Sequence, residues 1–161
     1  RGLGDVYKRQ LTYTKNSAVF KSAEYTIYTR LIEGKYFAYQ KMFTEGEINT
    51  CASRTALIGA MTRAKMCTEE KQPAVFQIED DVLNISIRDK LADYQEQVPL
   101  QETVCKSIRL GFDSRLVLET LKAFTCDNIA LGFTSPRTPM IVEAEDSDMK
   151  AMVLPVAIRE A

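Results

Sequence analysis

The sequence predicts an α+β domain, with two helices lying on one side of antiparallel sheets. Three observations carry that expectation. Apolar residues alternate with period two over most of the chain. The period turns helical in two places, after Ser53 and after Asp113. And the same order of elements returns: Ser53-Arg54-Thr55-Ala56-Leu57 and Ser114-Arg115-Leu116-Val117-Leu118 begin 61 positions apart, each following a strand and preceding a hairpin and a further strand. A domain from about Glu47 to Ile158 would then consist of two βαβββ halves.

The elements follow in chain order. Residues 11–32 read as strands, with Tyr25, Ile27, Thr29 and Leu31 on one face and Thr26, Tyr28, Arg30 and Ile32 on the other. Turns are expected at Asn16-Ser17 and Ala23-Glu24. Gly34 and Gly46 bracket an aromatic-rich linker with Tyr36, Phe37, Tyr39 and Phe43. Ser53 is a good N-cap, and Leu57, Ala60, Met61 and Ala64 recur at helical steps to give a buried stripe. Val75 to Ile78, the polar Glu79-Asp80-Asp81 and then Leu83, Ile85 and Ile87 predict a hairpin turning at the three carboxylates. Ile108, Leu110 and Phe112 form the next strand. Asp113 or Ser114 caps the second helix, whose apolar face includes Leu118, Leu121 and Phe124. Ile129, Leu131 and Phe133 lead through Ser135-Pro136-Arg137 to Met140, Ile141 and Val142, and Glu145 to Asp148 turns into a last strand from Ala151 to Val156.

Composition bounds the function. The 161 residues carry a formal charge of −1, and from Leu11 onward 18 basic residues face 21 acidic ones, so bulk positive charge does not bring this protein to its partner. No apolar run reaches membrane-spanning length, and a soluble, cytoplasmic protein without membrane partners is expected. Cys51, Cys67, Cys105 and Cys126 are widely spaced, and with no histidine in the chain they read as reduced thiols packing as small apolar groups. The same lack of imidazole excludes the usual acid–base and nucleophilic arrangements, and no phosphate-binding glycine loop is present. Glu79-Asp80-Asp81 and Glu143 to Asp148 are oxygen-rich, but they stand where solvated turns are expected. A binding role without catalytic residues, metal or cofactor outranks a metal-dependent hydrolase.

The run Thr29-Arg30-Leu31-Ile32-Glu33-Gly34-Lys35-Tyr36 with Tyr39 resembles a segment of the bacterial DNA polymerase III beta subunit, the sliding clamp. Ser53-Arg54 to Ala64, Gly111-Phe112-Asp113 with Leu118 and Leu121, Pro139-Met140-Ile141-Val142 and Val153-Leu154-Pro155-Val156 follow in that family's order. The resemblance implies a DNA-clamp (processivity-fold) domain. Residues 11–45 would be the last strands of a middle domain plus linker, and 46–161 the third domain. It further implies a non-catalytic, nucleoid-associated protein whose full-length form closes a head-to-tail homodimeric ring around double-stranded DNA, holding the phosphate backbone nonspecifically. A clamp-fold interaction module without a DNA role is the alternative.

Residue by residue, the resemblance suggests that Arg54, Arg63, Lys65, Arg115 and Lys122 face DNA from the helices, and that Met66 and Cys67 meet the next subunit. A groove taking short apolar-aromatic peptides of the replicative polymerase, clamp loader and repair proteins would be walled by Phe37, Lys41 and Met42 from the linker, and by Asp113, Leu116, Arg137 and Pro139. Met152, Val153, Leu154, Pro155 and Val156 would complete it. Phe37 stands where the family usually has proline, Lys41 where arginine is common and Ala157 where a basic residue often sits; Arg159-Glu160-Ala161 extends past the usual end. The opening RGLGDVYKRQ has neither structural period. One codon choice for it reads as the end of a transposase adapter used in sequencing libraries, so residues 1–10 are expected to be a scar without ordered structure, and the clamp to begin mid-domain.

Overall fold

A computed structural model describes residues 9–66, 72–88, 93–145 and 147–158. The chain divides into two compact units, one ending at Ala38 and the other beginning at Tyr39. The first holds β1 (Gln10–Tyr13), β2 (Ser17–Lys21) and β3 (Thr26–Arg30) in one antiparallel sheet. Its turns fall at the expected places, closed by Thr14 N–H donating to the Ser17 carbonyl (2.8 Å) and Ser22 N–H to the Tyr25 carbonyl (2.9 Å). β1 starts at Gln10, one residue inside the stretch set aside as a scar; Arg1 to Lys8 lie outside the described residues. Tyr13, Tyr25, Ile27 and Tyr28 are exposed, so the alternation of this segment does not correspond to a buried face.

The second unit is built on a six-stranded antiparallel sheet in the order β5-β6-β4-β7-β8-β9. β4 (Ile48–Ser53) runs directly into α1 (Arg54–Met66), whose buried residues are Leu57, Ala60, Met61 and Ala64, the stripe that the sequence spacing marks. Small side chains on that stripe let α1 approach α2 (Ser114–Ala123), which buries Val117, Leu118 and Leu121 against it. Asp113, not Ser114, is the N-cap of α2; its carboxylate accepts from Arg115 N–H at 2.8 Å. The two helix starts therefore correspond as Ser53 and Asp113, a shift of one residue from the sequence pairing.

The segment around Glu79-Asp80-Asp81 departs from expectation. It is not a hairpin turn. β5 (Ala74–Arg88) runs straight through it and pairs along its length with β6 (Asp93–Phe112), with register shifts at Asp80. Asp80 takes φ +53°, a conformation that a short polar side chain tolerates at a bulge. The bulge reverses which parity faces inward: Phe76 and Ile78 are buried before it, Leu83, Ile85 and Ile87 after it.

β7 (Asn128–Phe133), β8 (Met140–Ala144) and β9 (Ser147–Val153) complete the sheet. The last strand begins at Ser147 rather than Ala151 and ends at Val153, after which Val156 makes an isolated bridge to Gly111. The cysteines divide. Cys51 and Cys126 are half-buried, in keeping with a packing role, whereas Cys105 is exposed, pointing outward from β6. Cys67 lies outside the described residues. Phe76 meets Phe112 edge-on at 5.1 Å in a core that also holds Phe133. Each such ring contributes about 1.5–3 kcal/mol through its burial. Among the described residues, no helix is long and apolar enough to cross a membrane.

Candidate functional site

Two pairings bring most of the predicted groove residues into one neighbourhood. Met140 pairs with Val153, which sets Pro139 beside the start of Leu154-Pro155. Three residues on, Val156 N–H donates to the Gly111 carbonyl at 2.8 Å, which carries the chain to the end of β6 and the entry to α2. Asp113 and Leu116 lie just beyond. Leu116, Leu154 and Val156 are exposed to 50%, 57% and 40% in spite of their apolar character, while Val153 between them is buried as an anchor. A surface that exposes branched apolar side chains at a strand–helix junction suits an apolar ligand.

The polar rim is partly occupied. Asp113 accepts from Arg115 through both backbone and guanidinium (NH2 to Oδ2 3.1 Å), and the Arg115 hydrogen bond holds its carboxyl below the usual range in spite of partial burial. Arg137 is exposed on a turn whose shape is set by Ser135 and Thr138; Ser135 N–H donates to Thr138 Oγ1 at 2.9 Å. Lys41 and Met42 lie on a short 3-10 turn, Tyr39–Met42, with both side chains exposed. Met152 and Pro155 are half-buried. Phe37 belongs to the first unit, where its ring meets that of Tyr36 at 4.8 Å.

The basic residues of the helices differ in their surroundings. Arg54 is half-buried, its Nε donating to the Cys126 carbonyl at 2.9 Å, and its backbone N–H donates to the Asp127 carbonyl. Asp127 also caps α1 from across the fold. Its carboxylate accepts from Thr55 N–H (3.0 Å), Thr55 Oγ1 (2.6 Å) and Ser53 Oγ (3.1 Å), with Thr55 the main cause of its lowered pKa. Arg63 is paired with Glu96. Lys65, Arg115 and Lys122 have exposed side chains, and Met66 is 82% exposed at the end of α1.

A model of the DNA polymerase III beta subunit, C-terminal domain, matches residues 43–157. The chain belongs to that family. A beta sliding clamp of Halalkalibacterium halodurans is 24% identical over 143 residues, covering 86% of this chain and 38% of the relative. One from Staphylococcus aureus is 24% identical over 149 residues, covering 89% and 40%. This chain thus spans about two fifths of the length of these clamps. Among solved structures, the DNA polymerase sliding clamp of Caulobacter crescentus superposes with TM-score 0.84 at 14% identity, over 93% of this chain and 41% of that one. The DNA polymerase III subunit beta of Pseudomonas aeruginosa gives 0.82 at 19%, over 92% and 42%. The architecture is that of the clamp fold, with two helices against antiparallel sheet.

Sequence reasoning missed two parts of this clamp domain. Gly111 makes the Val156 bridge possible: a β-carbon there would stand 2.8 Å from the Val156 carbonyl oxygen. A glycine at the end of an alternating strand was the available signal. Glu96 and Tyr94, which hold Arg63, lie more than thirty positions away from it, and no local pattern points to them.

Proposed function

We propose that this chain supplies the last strands of the middle domain (residues 11–45) and the third domain (46–161) of a ring-shaped clamp that encircles duplex DNA and tethers a replicative polymerase. The observation that carries this reading is the convergence of exposed Leu116, Leu154 and Val156 at the Gly111–Val156 bridge, in a chain of the DNA polymerase III beta subunit family. Those residues, with Lys41, Met42, Asp113, Arg137, Pro139, Met152, Val153 and Pro155, form the peptide-binding groove. A Caulobacter crescentus clamp of the same fold was solved with polyethylene glycol in its proposed tethering region for the beta motif, which supports a groove on this fold that accepts extended ligands. Leu and Phe side chains of a short peptide fill such an apolar wall, and Lys41 and Arg137 hold its carbonyls or acidic groups.

Several of Arg54, Arg63, Lys65, Arg115 and Lys122 face DNA in the ring. Nonspecific, distributed attraction to phosphate lets a clamp slide without pausing at any sequence. Met66, exposed at the end of α1, meets the next subunit. The protein performs no covalent chemistry, takes no cofactor and acts on the bacterial chromosome in the cytoplasm. Binding of a Leu/Phe-containing clamp-motif peptide to the full-length protein, with and without Met42→Asp and Leu154→Asp, tests the groove. Each substitution weakens binding at least about tenfold, or 1.4 kcal/mol; undiminished binding overturns the assignment.

A further inference from the structure

Arg63 is tied by its side chain to a carboxylate on a different element, whereas Arg115 makes its two bonds, from Nε (3.4 Å) and NH2 (3.1 Å), to Asp113 two residues before it. The Arg63 guanidinium grips Glu96 with two parallel bonds, Nε to Oε2 at 2.8 Å and NH2 to Oε1 at 2.5 Å. Glu96 sits on β6, and its side chain is only 25% exposed. The Tyr94 hydroxyl, two residues earlier on the same face of β6, lies against Glu96 Oε2 and also 2.9 Å from the Ala60 carbonyl, one turn before Arg63 on α1. The Ala60 backbone, the Arg63 side chain and two side chains of β6 therefore form one closed network between helix and strand.

We infer that Arg63 is a positioning residue that braces the C-terminal half of α1 against β6, with Glu96 and Tyr94 as its partners, and is not one of the phosphate contacts. The inference rests on the clamp reading, in which basic residues of the helices meet DNA. Its physical basis is competition for the same fork. The Nε–NH2 edge is fully used, so gripping a phosphate through it would break two charge-assisted bonds, and the NH1 edge that remains carries a charge already compensated by Glu96, which weakens its attraction to phosphate. An exposed ion pair of ordinary geometry would be too weak to decide this. Here the fork geometry and the hydroxyl that fixes Glu96 make the pair cooperative. The brace ends three residues before Met66, so it also sets the direction in which the exposed end of α1 points.

The test uses the full-length protein with Arg63→Gln, Arg63→Lys, Glu96→Gln and, for comparison, Lys65→Gln, Arg115→Gln and Lys122→Gln. The first readout is the slope of log affinity for duplex DNA against log salt. Removing one side chain that neutralises a phosphate lowers that slope by about 0.9. Arg63→Gln and Arg63→Lys leave it unchanged, whereas one or more of the comparison variants lower it. If Arg63→Gln lowers the slope and Arg63→Lys restores it, the inference is overturned. If no comparison variant moves the slope, the DNA reading has failed, and the brace is judged on its own by the second readout.

That readout is the titration of isotope-labelled Tyr94 by NMR. Burial first, then the Glu96 carboxylate, pushes its hydroxyl up to about 12, while Arg63 acts in the opposite sense. Glu96→Gln therefore makes Tyr94 ionise at lower pH than in the parent, and Arg63→Gln at higher pH. Identical titration in all three proteins overturns the network. Loss of the fork should also cost about 2–4 °C in melting temperature with either Arg63 substitution, because lysine keeps the charge without the two-bond geometry.

Discussion

Gly111→Ala probes the junction on which the proposed groove depends. The new β-carbon would stand 2.8 Å from the Val156 carbonyl oxygen, 3.0 Å from Ile158 Cγ1 and 3.3 Å from Pro73 Cβ. Two of the three neighbours are backbone or ring atoms of fixed position, so the Val156 segment must retreat by about half an ångström or more. That retreat stretches the 2.8 Å hydrogen bond from Val156 N–H to Gly111. Overpacking of this kind costs about 1–3 kcal/mol and the bond about 1 kcal/mol more. The reduced freedom of the unfolded chain returns about 0.4–1 kcal/mol. A net loss of about 2 kcal/mol lowers the melting temperature by roughly 4–8 °C for a domain of this size. Thermal unfolding followed by circular dichroism measures it. Because Leu154 and Val156 move together, peptide binding by the full-length protein should fall as well. A Gly111→Ala protein that melts with the parent and binds peptide equally well would show that the bridge does not position the groove.

Other consequences follow from the same geometry. Asp113→Ala removes the cap of α2 and costs about 1 kcal/mol, seen as a melting temperature lower by about 2–4 °C. Asp127→Ala lowers thermal stability too, since one carboxylate serves Ser53 and Thr55 at the start of α1; a melting temperature equal to the parent's would contradict the cross-fold cap. Glu96, held by Arg63 and then Tyr94 down to about 2, and the lowered Asp113 and Asp127 contribute stability that is complete above the ordinary carboxylate range. That contribution is lost as pH falls from about 4.5 toward 2. At the alkaline end the raised Tyr94 contributes stability below about pH 10 that is lost as pH rises toward 12. Denaturant midpoints across these two windows check both signs, and Glu96→Gln should flatten each. Gly59→Ala supplies a better helix former to α1, worth about 0.5–1 kcal/mol, but its β-carbon lies 3.2 Å from Arg63 NH2. Stability rises only if the Arg63–Glu96 fork can shift, so a gain that appears in the Glu96→Gln background and is smaller in the parent would show a rigid fork.

The sequence patterns that proved legible were those set by one element's own period. Leu57, Ala60, Met61 and Ala64 had to share a helical face, and all four are buried on α1. Leu83, Ile85 and Ile87 had to share a strand face for the same reason, and they do. The misread turn at Glu79-Asp80-Asp81 has a physical cause: three adjacent carboxylates suggest a solvated turn, whereas a bulge exposes them in mid-strand equally well. The change of buried parity from Phe76 and Ile78 to Leu83, Ile85 and Ile87 was the signal that distinguishes the two. Cys105 followed the same logic, because its position on β6 faces outward whatever the hydropathy of a thiol. Interactions between distant segments were not legible. Asp127 on α1, Val156 on Gly111 and Glu96 on Arg63 each join residues that only the fold brings together. The proposed groove shows the same division: its apolar residues form short runs, but the bridge that gathers them does not show in any run.

The most direct test of the clamp reading is topological. The full-length protein carrying this chain is loaded on nicked circular duplex DNA, and its retention is measured before and after the circle is cut once. A ring held by distributed attraction to phosphate remains on the circle and slides off the linear ends, so retention should collapse on linearisation at unchanged salt. Equal retention on circular and linear DNA, or none on either, would contradict it.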